Sequence, residues 1–205
     1  MNARPPILVA LALAWIAGLA LSFAIAADRA TWAMETMPAM IALPLLWLTA
    51  PRLRLTDLVT AAILVHGLIL MLGGAYTYAK VPAGFWLQDA LGLARNPYDR
   101  IGHLAQGFVP ALVARELLIR VFAVAPRWLV ALLCVALALA VSALYELVEW
   151  GAALALGQGA ESFLGTQGDE WDTQADMLCA LVGALAALAL LSRMHDRQIA
   201  RLAPR

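Results

Sequence analysis

The sequence predicts an all-α fold: a polytopic transmembrane helix bundle of about six spans, with both termini in the cytoplasm. Three observations lead there. Apolar residues make up 63% of the 205-residue chain and charged residues 14%, whereas a soluble domain carries about 25% charged residues. A soluble body of this composition would have too little polar surface to show to water. Six apolar runs, near 7–27, 31–50, 58–75, 101–121, 128–150 and 173–192, approach the roughly 20 residues that a helix needs to cross the hydrocarbon core. Lys and Arg, finally, divide unevenly between alternate loops, as they do in membrane proteins with a fixed orientation.

Taken in order, run 7–27 follows Arg4 and ends near Ala24-Ile25-Ala26, which resembles a signal-peptide cleavage site. It is longer than the usual 7–15-residue core of a signal peptide, so it reads as an uncleaved span. Run 31–50 contains Pro38 and Pro44, which predict a kink. Run 58–75 has one polar interruption, His66, expected to be a contact between helices. Residues 76–98, with Tyr76, Tyr78, Phe85 and Trp86, suit a segment lying at the outer membrane interface. Asn96-Pro97 predicts the next helix, with Asn96 as its cap and Pro97 as its first residue. Arg115, Glu116 and Arg120 close that span and are expected to anchor it at the inner face. Run 128–150 follows, then an acid- and glycine-rich outer loop over 151–172 that includes Gly157, Gly159, Glu161, Gly165, Gly168, Asp169 and Glu170. The last run, 173–192, leads into a basic cytoplasmic tail over 193–205, where His195 is expected to be solvated. The whole chain, 1–205, reads as one integral membrane domain.

With the N-terminus inside, one side of the bilayer holds ten of the 14 basic residues and the other holds four: Arg29, Lys80, Arg95 and Arg100. Of the acids, only Asp57, Glu116 and Asp196 fall on the inner side. Acids contribute little to topology, so their outward bias needs another cause. The net charge is zero, which implies no nucleic-acid partner. Cys134 and Cys179 lie within apolar runs, outside any metal-type spacing, and read as packing residues.

The acids fall into helix-spaced pairs at span ends. Asp99 and His103 are four apart, with Gln106 extending their face; Glu146 and Glu149 are three apart; Asp172 and Asp176 are four apart. Because successive spans alternate in direction, all three pairs are expected at the outer face. Several carboxyls and an imidazole at one depth require compensation: a divalent cation on oxygen ligands plus one imidazole, protonated carboxyls, or pairing with Arg95, Arg100 and Lys80. Simpler readings stand beside these. Asp172 can cap the last helix, Asp99 and Asp176 can sit at favourable helix N-termini, and Glu149 can reach the headgroups. Glu146 resists such an account, since an anion at a helix C-terminus opposes the dipole.

The strings GGAYTYAKVP (73–82), RNPYDRIGHLAQGFVPALVAREL (95–117), YELVEW (145–150) and FLGTQGDEWDTQADM (163–177) resemble the YjdF-type bacterial inner-membrane proteins, the DUF2238 family. That resemblance implies a multi-pass protein of the bacterial inner (plasma) membrane and supplies no reaction. A fainter likeness is to VanZ-like membrane proteins, through the order Asp99, His103, Glu146 and Asp172 or Asp176; it implies a cell-envelope ligand. No G-x-S-x-G, H-E-x-x-H, P-loop or G-x-G-x-x-G motif is present.

Three function classes stay open. An envelope-facing enzyme would act on a lipid or envelope-linked substrate, with His103 and Glu146 in acid–base roles, Asp99 orienting the imidazole, and Asp172 and Asp176, with Glu149, holding a divalent metal ion. A small proton-coupled transporter would use Glu146 and His103 as relay groups, although no inverted repeat is visible. In a non-catalytic membrane protein the same acids would organise the outer loop.

Overall fold

The computed structural model describes residues 6–156 and 166–202. Among them there are helices and no strands: α1 (Pro6–Ala24), α2 (Arg29–Glu35), α3 (Met37–Thr49), α4 (Asp57–Tyr76), α5 (Pro82–Leu91), α6 (Tyr98–Arg120), α7 (Arg127–Leu156) and α8 (Asp172–Leu202). Three of these, α4, α7 and α8, are long and apolar enough to cross a membrane, and α1 and α3 are shorter apolar helices. The loop residues Gly157, Gly159, Glu161 and Gly165, read above as part of an acidic outer loop, lie outside the described residues.

Several boundaries differ from the sequence expectation. Run 31–50 is two helices, not one kinked span. Asp28 caps α2, accepting from the amide of Thr31 at 2.6 Å, a bond that holds its carboxylate below the usual pKa range. The chain breaks at Thr36, whose hydroxyl turns back to the carbonyl of Trp32, and α3 restarts with Pro38 in its first turn, where a missing N–H costs nothing. The cap of α6 is Pro97 and the first helical residue is Tyr98; Asn96 still contributes, its Oδ1 accepting from the Tyr98 amide at 3.0 Å. Beyond residue 150 the helix continues to Leu156, since Ala152–Ala155 are good helix formers. The expected basic tail is helical to Leu202.

The core is the sheaf of α6, α7 and α8. Between helices in lipid there is no hydrophobic driving force, so association rests on close van der Waals packing through small residues and on interhelical hydrogen bonds. At Gly107 a Cβ would stand 1.8 Å from the carbonyl oxygen of Ala180, and at Gly183 one would stand 2.1 Å from that of Leu104. Two glycines therefore let α6 and α8 touch backbone to backbone. Ala111, Ala184 and Ala187, all fully buried, continue the seam with Cys134 and Ala138 of α7. Helix α4 packs on α6 and carries the remainder. Trp15 of α1 lies on Gly67, donating its indole N–H to the carbonyl of Ala39. Cys134 and Cys179 are free, as their apolar settings predict.

The end of the bundle where α6 and α8 finish is held by a buried polar cluster, which overturns two expectations. Glu116 does not snorkel and His195 is not solvated; both are completely buried. The Glu116 carboxylate accepts from the amide and hydroxyl of Thr56, from Arg120, and from His195 Nε2 at 3.1 Å. Arg115 pairs with Asp196 at 2.5 Å. The burial follows from α8 running on to Leu202, which carries His195 against α6. His66 was expected to contact a neighbouring helix, yet its Nε2 has no hydrogen-bond partner among the described residues.

Removing one member of a buried ion pair costs about 3–5 kcal/mol. Glu116→Ala should therefore lower stability by that order in reversible unfolding in mixed micelles. Glu116→Gln keeps an acceptor for Thr56 and should cost less than half as much.

Candidate functional site

The opposite end of the sheaf gathers the polar groups that the sequence marked. Helices α6 and α8 both begin here and α7 passes through in the opposite sense. His103 stands one turn ahead of Gly107, and Asp176 one turn ahead of Ala180, so the backbone contact brings these two side chains face to face.

His103 is the hub. On one edge, its Nε2 lies 3.7 Å from Asp99 Oδ1 and 3.9 Å from Asp176 Oδ2. On the other edge, Nδ1 is 2.9 Å from Gln106 Oε1 and 3.8 Å from Glu146 Oε1. With Nδ1–H donating to the Gln106 oxygen, Nε2 is the ring nitrogen left to face Asp99 and Asp176. One ligand atom from each of Asp99, His103 and Asp176 falls within a 4.8 Å group, and all three residues are buried. Asp176 Oδ1 and Glu146 Oε1 are buried without a hydrogen-bond partner. Buried carboxylate oxygens are ordinarily satisfied, so this end of the bundle has spare acceptors aimed inward.

Asp172 is placed differently. It is the first residue of α8 and pairs with Arg95, which also reaches Asp99 at 3.6 Å, Asp169 at 3.5 Å and, through a hydrogen bond of 2.9 Å, the carbonyl of Thr166. Arg100 holds Asp169 at 2.6 Å. The side-chain amide of Gln167 grips the main chain of Asn96, accepting from its N–H at 3.1 Å and donating to its carbonyl at 3.0 Å. The segment 166–171 is thereby clipped to the start of α6. Glu149 is buried one turn beyond Glu146 and lies outside the Asp99–His103–Asp176 group. Since α7 runs to Leu156, Glu146 is well inside its helix, and the dipole term, which fades within the last turn, does not single it out. Its burial beside His103 does.

Two residues escaped sequence reading. Glu35 is buried and accepts from the Tyr145 hydroxyl at 3.1 Å, and the Tyr145 ring stands edge-on to His103 at 6.3 Å. The available signal for Glu35 was an unpaired acid inside an apolar run. Tyr145 gave none, being one aromatic among many in a span.

The start of α6 is fixed by Tyr78. Thr77 and Tyr78 both adopt positive φ, 55° and 45°, a conformation unusual for a β-branched or bulky residue and costing about 1–3 kcal/mol each. The Tyr78 ring offsets this by filling a hole that exists only because positions 73 and 102 lack side chains; a Cβ there would stand 2.2 and 2.7 Å from the ring. The ring also meets Tyr98 edge-on at 5.7 Å. Gly102 immediately precedes His103, so this packing sets the height of the imidazole.

A helical, multi-span membrane protein with a buried carboxylate–histidine centre at one end is the class defined by this fold and geometry. The particular family follows from comparison: residues 7–197 match the model of a family described as predicted membrane protein (DUF2238), and the chain belongs to that family. It is 59% identical over 174 residues to the inner membrane protein YjdF of Escherichia coli (strain K12), covering 85% of this chain and 83% of that protein. It is accordingly a protein of the bacterial inner membrane. No solved structure matches it.

The clip on segment 166–171 gives a direct prediction. Arg95→Met should raise amide hydrogen exchange across residues 166–171 by about tenfold or more, while exchange in the α6–α8 seam around Gly107 stays at the wild-type rate; local opening of a few contacts frees only the elements they hold.

Proposed function

We propose that this chain crosses the inner membrane six times, through α1, α2 with α3, α4, α6, α7 and α8. Both ends lie in the cytoplasm, and an outward-facing centre binds one divalent cation and acts on a lipid or lipid-linked envelope substrate. The ten-to-four division of Lys and Arg supports the orientation. Broad apolar exposure along the helices supports immersion in lipid, as at Leu13, Leu68, Leu144 and Leu190. Helix α5, with Phe85 and Trp86 exposed, suits the interface between bilayer and water.

The carrying observation is the convergence of Asp99, His103 and Asp176 within 4.8 Å, with Gln106 Oε1 2.9 Å from the other ring nitrogen of His103. Two carboxylates and one imidazole suit a hard or borderline divalent ion. Gln106 then plays the supporting part that orients a ligating histidine. A cation held there would polarise a phosphoryl or carbonyl oxygen of the substrate. Glu146, on the far edge of His103 and with an unpartnered oxygen, is placed to accept or return a proton. Arg95 and Arg100 hold Asp172 and Asp169, so the acidic segment 166–171 does not add its charge to the centre unopposed.

Purified in detergent and exchanged into Mg2+, Mn2+ or Zn2+, the wild-type protein should retain about one ion per chain by elemental mass spectrometry. Asp176→Asn and His103→Ala should retain none at matched concentration, and Glu116→Gln, at the other end of the bundle, should retain the ion. A folded wild-type protein that retains none of the three metals would sink the proposal, as would an Asp176→Asn protein loaded like the wild type.

A further inference from the structure

Beside the centre the helices leave a space that no part of the described chain fills. It has a volume of about 630 Å3 and runs between α3, α4, α6 and α7. Its walls are single helix faces at three- and four-residue spacing, with Ala42 and Leu46 on α3, Val113 and Leu117 on α6, and Leu137 and Val141 on α7. Along α6 it extends from Asp99 to Leu118, roughly 28 Å at the helical rise of about 1.5 Å per residue. That is close to the thickness of the hydrocarbon core, about 30 Å.

The polarity of the slot is graded. Glu35, Asp99, His103, Gln106 and Tyr145 border one end, and the rest of the wall is overwhelmingly apolar. His66 is an exception part-way along, with its Nε2 covered. An apolar slot that runs nearly the thickness of the hydrocarbon core and lies open to the bilayer is filled by hydrocarbon. The head of the occupant meets the centre proposed above. Divalent ions bound through one or two carboxylates commonly take further oxygens from substrate phosphates.

We infer that the slot between α3, α4, α6 and α7 binds a lipid with a single long hydrocarbon chain, its phosphate head placed at Asp99, His103 and Asp176. The chain component stands on the slot alone; the choice of phosphate rests on the metal proposal.

The test uses the full chain in nanodiscs, loaded with Mn2+, and measures binding of hexadecyl phosphate, hexadecanol and inorganic phosphate. Hexadecyl phosphate should bind tightest. Ala114→Trp, which puts an indole into the slot, should weaken it by at least about tenfold and leave Mn2+ content unchanged; Leu190→Trp, on the lipid-facing side of α8, should alter neither. If Ala114→Trp does not fold, Ala42→Phe on the opposite wall serves in its place. Hexadecyl phosphate binding equally well to a folded, slot-filled variant would overturn the proposal. So would a wild-type dimer that Ala114→Trp converts to monomer, since the slot face would then seat a second copy. Failure of the metal reading looks different: hexadecanol and hexadecyl phosphate would bind alike, Asp176→Asn would change neither, and both would stay sensitive to Ala114→Trp. That outcome overturns the phosphate head while keeping the chain site.

Discussion

Backbone contact between α6 and α8 governs both ends of this molecule. Gly107 against the carbonyl of Ala180, and Gly183 against that of Leu104, allow an approach that any side chain would prevent. In lipid, where apolar side chains gain nothing by leaving their surroundings, such closeness is a main source of helix association. Its consequences are geometric. One turn toward the start of the two helices, His103 and Asp176 come within 3.9 Å; toward their ends, Arg115 meets Asp196 and Glu116 meets His195. Because the two helices run parallel, a single contact sets the register for both polar clusters.

The two clusters solve the problem of buried charge differently. Around Glu116 the carboxylate is supplied with donors from the cap of α4, from α8 and from Arg120 of its own helix, and the result is a staple that fixes the N-terminus of α4. Around His103 the accounts do not close. Arg95 and Arg100 are occupied with Asp99, Asp169 and Asp172, and oxygens of Asp176 and Glu146 remain unpartnered. A buried, half-satisfied polar network is costly. The two ends differ in their carboxylates: both oxygens of Glu116 accept hydrogen bonds, whereas Asp176 and Glu146 each keep one buried oxygen without a partner.

Local spacing made much of this legible. A separation of four places Asp99 and His103 on one face of α6, and a similar spacing aligns Asp172 and Asp176 on α8. Alternating helix directions then gather the marked pairs at one end of the bundle. The strings quoted from 73–82, 95–117, 145–150 and 163–177 were enough to indicate the DUF2238 family. Illegible were the partners joined across long separations. Arg95 was legible as a counter-charge for the acids, but its choice of Asp172 follows from segment 166–171 folding back on α6; His195 is buried because α8 outruns its apolar run; Glu35 enters the site because the chain breaks at Thr36. Each depends on where a helix stops, and the boundaries near 36, 150 and 192 are set by tertiary packing as much as by local composition.

The central claim is that the α6–α8 contact, and not the ligand residues alone, builds the centre. Manganese binding to Gly107→Ala tests it most directly, followed by electron paramagnetic resonance with the fold checked by circular dichroism. The added methyl lies a full turn from His103 and provides no ligand, yet it must push α8 outward. The expected result is a loss of Mn2+ affinity of about tenfold or more, the size seen when supporting groups around a metal are disturbed. A folded Gly107→Ala protein that binds Mn2+ as tightly as the wild type would contradict the account.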